Sequence, residues 1–101
     1  MDRNVFERVA GLERDLLNIL ASIEGADEME ALFTELFTAS ELADLSLRWK
    51  LLKDLYSGMT QRKIAEKYGI SLCKITRGSK ILKQKDSAVL GVLQNWSGER
   101  E

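Results

Sequence analysis

The sequence predicts an all-α fold of about six helices. No proline occurs among its 101 residues, and apolar residues recur every three or four positions almost throughout, as on a helix with one buried face. The alternating pattern of a half-buried strand nowhere extends over a useful length. The length predicts a single domain, residues 1–101, with limited capacity to bury apolar surface by itself, which favours a partner subunit.

The composition argues against most enzyme classes. The chain has no histidine and one cysteine, Cys73, so the usual zinc spacings, Ser-His or Cys-His pairs and an internal disulfide are absent. Its acidic residues fall where solvated helix faces would place them. We therefore expect no catalysis, no metal and no cofactor. Without a long apolar run or a secretion leader, we also expect a cytoplasmic protein with no membrane partner.

The net charge of −1 is the sum of three unlike segments. Residues 1–47 carry 3 basic and 11 acidic side chains, residues 48–85 carry 11 and 2, and residues 86–101 carry 1 and 3. A segment with a net charge of +9 is where a polyanion would bind. The alternative is a set of solvated lysines, so the charge needs a fold that presents it on one surface.

Two apolar helices are predicted in the N-terminal part, the first ending at Gly25. Their stripes are more apolar than a small monomer can cover, so these two helices and the third helix, segment 1–57, are expected to form a dimerisation core. The first stripe comprises Val9, Leu12, Leu16, Ile19 and Ile23, and the second comprises Met29, Leu32, Phe33 and Leu36.

The third helix should begin at the stretch TASE, which has the form of a capping box between Thr38 and Glu41. Gly58 is placed to end this helix in the left-handed conformation. Its predicted buried stripe comprises Leu42, Leu45, Trp49, Leu52 and Tyr56.

Segment 59–83 has the pattern of a helix-turn-helix. Thr60 is a good N-cap, Gly69 ends the first short helix, and Ser71 caps the second helix. Such a second helix can enter the major groove of DNA. Part of this pattern would also fit a helical hairpin in a bundle, but its position within the basic segment favours DNA binding. A last packing helix is predicted within residues 86–97, with Leu90, Leu93 and Trp96 on one side.

Gly78 breaks the expected pattern. It lies nine positions after Gly69, where a helix-turn-helix should place an apolar residue, and a glycine within a helix costs roughly 1 kcal/mol against alanine. One interpretation is close packing against the third helix. The other is a cavity beside Arg77 that would suit a flat apolar ligand with an acid group.

The stretches MTQR and ITRGSKILK resemble the corresponding segments of the tryptophan repressor family, and the resemblance extends from about Thr38 to Lys83. It implies an interlocked homodimer with one reading head per subunit. L-tryptophan would act as allosteric corepressor, and the partner would be a palindromic operator of genes for tryptophan synthesis, salvage or uptake. A repressor of the same fold that answers to another small molecule, or to none, is the alternative.

The resemblance also implies a set of ligand contacts. The indole ring would lie between the guanidinium groups of Arg48 and Arg77, as cation–π contacts, and Arg77 would also pair with the carboxylate. Gly78 would leave room for the ring, and Thr38 would help to hold the carboxylate.

The ammonium group would bind backbone carbonyls near Glu35 and Phe37 of the partner subunit. The family has a serine that assists this group, but the present chain has Ile81 at that position. One polar contact to the ligand is therefore missing or is supplied in another way.

For DNA, the expected contacts occupy both helices of the motif. Arg62 matches an arginine that reaches a guanine, and residues at the positive end of the first helix meet phosphates. The full set comprises Gln61, Arg62, Lys63, Leu72, Cys73, Lys74, Thr76, Lys80 and Lys83.

Overall fold

The computed structural model describes residues 11–99, with side chains for residues 11–96. All regular structure in this range is helical, which confirms the all-α prediction. None of the helices described is long and apolar enough to cross a membrane. The six helices are α1 (Arg14–Ser22), α2 (Ala26–Leu36), α3 (Ala39–Tyr56), α4 (Gln61–Tyr68), α5 (Leu72–Lys83) and α6 (Ala88–Glu99).

The chain divides into two compact units, Met1–Leu42 and Ala43–Glu101. In the first unit, neither α1 nor α2 has a buried residue. Of the predicted first stripe, Val9 lies outside the described residues, and Leu12 and Ile23 flank α1 instead of belonging to it.

The prediction that Gly25 ends the first helix is wrong. Gly25 is instead the N-cap of α2, with φ −96° and ψ 141°. Asp27 and Glu28 follow in the first turn of α2. Carboxylates are favourable at this positive end of the helix dipole, so the local charge pattern suits the start of a helix.

Both ends of α3 agree with the prediction. Thr38 Oγ1 accepts a hydrogen bond from the Glu41 N–H at 3.1 Å, and Glu41 Oε1 accepts from the Thr38 N–H at 2.9 Å, which together form the capping box. At the other end, Gly58 has φ +99°. The N–H of Met59 bonds to the Asp54 carbonyl at 3.0 Å, as in a Schellman motif.

The buried face of α3 differs from the predicted stripe. Leu45 and Tyr56 are exposed in the single chain, whereas Leu51, which the prediction omitted, is only 3% exposed. The reason is that α3 carries leucines on more than one side, so their spacing allows two stripes. The face that packs within the second unit contains Leu51, Leu52 and Leu55.

The core of the second unit draws on α3, α4, α5 and α6. Burial of each aliphatic side chain in it contributes about 1.5 to 3 kcal/mol, so these helices hold one another in place. The buried residues are Leu51, Leu52, Ile64, Ile75 and Leu93.

Helices α4 and α5 form the predicted helix-turn-helix. Thr60 Oγ1 accepts from the Lys63 N–H at 3.2 Å, which caps α4. Gly69 ends α4 with φ +64°, and its N–H bonds to the Ala65 carbonyl. Ser71 is the N-cap of α5 as predicted, but its side chain makes no capping hydrogen bond.

Candidate ligand cavity and nucleic-acid interface

A cavity of about 120 Å³ lies between α3 and α5 within the second unit. An apolar cavity of ~150 Å³ takes up benzene, so this volume suits a flat ring. The residues that each helix contributes recur at intervals of three to four positions, some as adjacent pairs, and therefore lie along one face of that helix. The lining comprises Asp44, Leu47, Arg48, Leu51 and Leu52 from α3, and Lys74, Arg77, Gly78 and Ile81 from α5.

The structure brings together three residues that were predicted to bind the ligand. Arg48, Arg77 and Gly78 all line this cavity. Both arginines are exposed, whereas Gly78 is buried. Ile81, which replaces a polar residue of the family, lines the same cavity and is half-buried.

At Gly78 the structure shows close packing against α3 and, beside that contact, a cavity. A Cβ atom there would lie 2.8 Å from Leu51 Cδ1, 3.1 Å from Leu55 Cδ1 and 3.4 Å from Leu52 Cδ2. Helices α3 and α5 therefore approach closely at this glycine, which explains why a larger residue is absent. The cavity lies beside the contact, since Gly78, Leu51 and Leu52 also line it.

Two charged cavity residues were not predicted to bind a ligand. Asp44 was not singled out, and Lys74 was assigned to DNA alone, yet both line the cavity. A signal was available in the spacing, because Asp44 precedes Arg48 by one helical turn and Lys74 precedes Arg77 by three residues. The Asp44 side chain is exposed and forms no hydrogen bond or ion pair with any residue that the structure describes.

The residues predicted to contact DNA are accessible. Gln61 is half-buried, and the remaining eight side chains are exposed. Thr76 Oγ1 donates to Gln61 Oε1 at 3.1 Å, which links the reading helix to the start of α4. Gln61 accepts this bond through its amide oxygen, and its NH₂ group carries two separate donors that suit an acceptor such as a phosphate. Those eight are Arg62, Lys63, Leu72, Cys73, Lys74, Thr76, Lys80 and Lys83.

A polar cluster that sequence reasoning missed joins the end of α3 to the end of α4. Tyr68 Oη donates to Asp54 Oδ2 at 2.6 Å, and Lys67 Nζ donates to the same oxygen at 3.1 Å. Burial raises the pKa of Asp54, but the hydrogen bonds from Tyr68 and Lys67 outweigh it and hold the pKa below its ordinary value of 3.8. The hydrogen bond to Asp54 raises the pKa of Tyr68.

This geometry agrees with the comparison to known families. The sequence model of the family described as Trp repressor protein matches residues 13–97, most of the chain. The chain belongs to the Trp repressor family. Members of the Trp repressor family are DNA-binding regulators and not enzymes, which accounts for the helix-turn-helix.

Individual relatives in the Trp repressor family support the same conclusion. A Trp operon repressor homolog of Chlamydia trachomatis serovar D is 37% identical over 79 residues, covering 77% of this chain and 84% of the relative. The homolog of Chlamydia caviae is 33% identical over 82 residues, covering 80% and 81%. That of Xylella fastidiosa strain M23 is 35% identical over 65 residues, covering 63% and 71%. The comparison with solved structures gave no significant match.

The other predicted ligand contacts of this Trp repressor family member belong to the first unit. The Thr38 oxygen accepts the capping bond of α3, so the hydroxyl proton remains available to a ligand carboxylate. Phe37 is the C-cap of α2, and its ring lies 5.1 Å from that of Phe33 between centroids. Glu35 is exposed. That these residues contribute to a ligand site, and that the chain forms a dimer, both stay predictions.

Within the described residues, no group of three or more His, Cys, Asp or Glu side chains could hold a metal ion. The cavity is lined by guanidinium, ammonium and carboxylate groups together with aliphatic side chains.

Proposed function

We propose that this chain is a tryptophan-dependent transcriptional repressor. L-tryptophan binds in the cavity between α3 and α5 as corepressor, and the liganded homodimer binds a palindromic operator of genes for tryptophan synthesis, salvage or uptake. The observation that carries the proposal is the position of Arg48, Arg77 and Gly78 on one cavity next to the reading helix.

The cavity offers complementary chemistry to each part of tryptophan. Burial of an indole ring, with ~150 to 250 Å² of area, is worth at most about 4 to 6 kcal/mol. Each guanidinium that stacks on the ring adds about 0.5 to 2 kcal/mol. Because association loses several kcal/mol of translational and rotational freedom, we expect an affinity in roughly the micromolar range.

The ligand would act by selecting one placement of the reading helix. A corepressor shifts a conformational equilibrium only if it binds one state more tightly than the other. Tryptophan touching α3 on one side and α5 on the other favours the state in which both sides are in place. In a dimer this state would set the two reading helices about 34 Å apart, one turn of DNA.

A homodimer is supported by the unpartnered apolar surface of the first unit. Helices α1 and α2 have no buried residue, and Ile19 is 53% exposed on α1. Sedimentation equilibrium tests this directly. Ile19→Glu should weaken the dimer, whereas Leu72→Glu, at an equally exposed position on the reading helix, should leave it intact. A monomeric wild-type protein at tens of micromolar would contradict the proposal.

The central experiment compares DNA binding with and without L-tryptophan. An operator is first selected from random duplexes in the presence of L-tryptophan, and fluorescence anisotropy then measures its affinity at several salt concentrations. We expect binding that tightens with tryptophan and weakens steeply with salt. Ligand binding is followed separately by calorimetry.

Two variants separate the cavity from the DNA surface. Arg48→Ala should lose tryptophan affinity and therefore the tryptophan response. Arg62→Ala should keep tryptophan affinity but lose about 1 to 3 kcal/mol of sequence discrimination. If wild-type protein binds its selected operator equally well with and without tryptophan, and gives no heat with tryptophan, the alternative applies, namely a repressor answering to another small molecule or to none.

A further inference from the structure

The cavity is lined by more charged side chains than stacking on an aromatic ring requires. Three cations, Arg48, Lys74 and Arg77, line it together with one carboxylate, that of Asp44. The cations can balance a ligand carboxylate. The question is what Asp44 recognises.

We propose that Asp44 binds the ammonium group of the ligand and thereby makes the cavity selective for an amino acid over an amine-free acid of the same shape. This inference rests on the proposed function, because it takes an indole-bearing acid as the ligand. It adds a specificity-determining residue to the site.

The first argument is the hydrogen-bonding inventory of the lining. Arginine and lysine side chains only donate, and leucine, isoleucine and glycine side chains do neither. Of the nine residues that line the cavity, Asp44 is therefore the only one whose side chain accepts a hydrogen bond. A bound ammonium group brings three donors. Ile81 presents only carbon and hydrogen atoms, so the α5 residues that line the cavity supply no side-chain acceptor.

The second argument is that Asp44 has no other partner. Arg48 follows it by four residues, a spacing at which a helical ion pair could form. The structure shows neither that pair nor any other hydrogen bond or ion pair between the Asp44 carboxylate and the residues it describes. The carboxylate is thus available to an incoming cation.

The third argument is the expected cost for a ligand without an amine. Such an acid would place its apolar part in the cavity and its carboxylate near Lys74 or Arg77, but it would offer Asp44 nothing. Asp44 would then lose part of its hydration without a replacement hydrogen bond, which disfavours binding. L-tryptophan avoids this loss because its ammonium group can bind Asp44 while its carboxylate lies near Lys74 or Arg77.

The test measures the dissociation constants of L-tryptophan and indole-3-propionate, which lacks the amine, by isothermal titration calorimetry. We expect the wild-type protein to prefer L-tryptophan. Asp44→Asn keeps the shape of the side chain but removes its charge, and should weaken L-tryptophan about tenfold, as for one hydrogen bond to a charged group. Its affinity for indole-3-propionate should stay unchanged or improve.

The matched control is Glu66→Gln, which removes one negative charge at an exposed position of α4 outside the cavity. It should leave both dissociation constants unchanged. If Asp44→Asn leaves the ratio of the two constants unchanged while the wild type still binds L-tryptophan, this inference is overturned and the proposed function stands. If both ligands weaken equally, Asp44 acts on Arg48 and not on the ammonium, which also overturns it. A wild-type protein that binds neither ligand refutes the proposed function and this inference together.

Discussion

Substitution of Gly78 by alanine tests whether α5 is packed against α3 through a glycine. In the interior of an exposed helix, alanine is more stable than glycine by roughly 1 kcal/mol. At Gly78 the added methyl group would lie 2.8 Å from Leu51 Cδ1 and 3.1 Å from Leu55 Cδ1, both too short for carbon atoms at their preferred separation of about 3.5 to 4.0 Å. Overpacking of this kind costs about 1 to 3 kcal/mol.

The two effects predict that Gly78→Ala is between neutral and about 2 kcal/mol less stable than the wild type. The helical glycine Gly91 provides the control, because a Cβ atom there would meet nothing within 4 Å. Gly91→Ala should therefore be more stable by up to about 1 kcal/mol. The difference between the two variants isolates the packing cost, which we expect to be about 1 to 3 kcal/mol.

Urea unfolding followed by far-UV circular dichroism measures both free energies, at one fixed protein concentration because an oligomer would couple stability to concentration. Calorimetry with L-tryptophan adds a second readout. Leu51 also lines the cavity, so its movement away from the new methyl group would fill ligand space and weaken tryptophan binding. If Gly78→Ala proves as stabilising as Gly91→Ala, the packing argument fails.

Three further predictions concern the caps and the cluster at Asp54. Thr60→Ala should lower the free energy of unfolding by about 1 kcal/mol, and Ser71→Ala by less, because only Thr60 makes a capping bond; urea unfolding of both variants checks this order. Asp54→Asn should be less stable than the wild type at neutral pH, and this loss of stability should become smaller below pH 3.8. A carboxylate with a lowered pKa stabilises the fold above that range and loses its contribution as it is protonated. Urea midpoints between pH 2.5 and 7 test this, and a loss of stability that does not change with pH would contradict it. Tyr68→Phe should be less stable than the wild type at neutral pH, and this loss of stability should become smaller above pH 10.0. The reason is that the pKa of Tyr68 is raised, so the phenol stabilises the fold only while it is protonated. Thermal unfolding between pH 7 and 11 measures the loss.

The features that could be predicted from the sequence are those determined by residues a few positions apart. The capping box at Thr38, the cap at Thr60 and the left-handed turns at Gly58 and Gly69 each depend on one turn of backbone. They are found where the sequence places them. The helix-turn-helix follows from these local signals, because a glycine-centred turn leaves little freedom between the two helices.

The features that could not be predicted depend on how helices face one another. Asp54 and Tyr68 are fourteen residues apart, and no local pattern pairs them. The choice between two leucine stripes on α3, and therefore the exposure of Leu45, is likewise decided by packing with α4, α5 and α6. Asp44 is a different case, because its spacing to Arg48 was a local signal, but an exposed acidic residue on a helix is usually solvated and was therefore not singled out.

The candidate site was predicted in part. Arg77 and Gly78 were singled out by their sequence context, and Arg48 by resemblance, and the structure places all three on one cavity. The contacts proposed for Thr38, Glu35 and Phe37, and all the DNA contacts, stay predictions.

The hydrogen bond between Tyr68 and Asp54 bears on how much a ligand must contribute to holding the reading head against α3. It fastens the C-terminal end of α4 to the C-terminal end of α3, close to the Gly58 turn that joins the two helices. Of the two helices of the reading head, α4 thus has a polar anchor on α3, and α5 borders the cavity. A small molecule that contacts α3 and α5 would add a second polar attachment to a head that already has one, which is a task within the reach of a ligand of about fifteen heavy atoms at roughly −0.3 to −1.5 kcal/mol per atom.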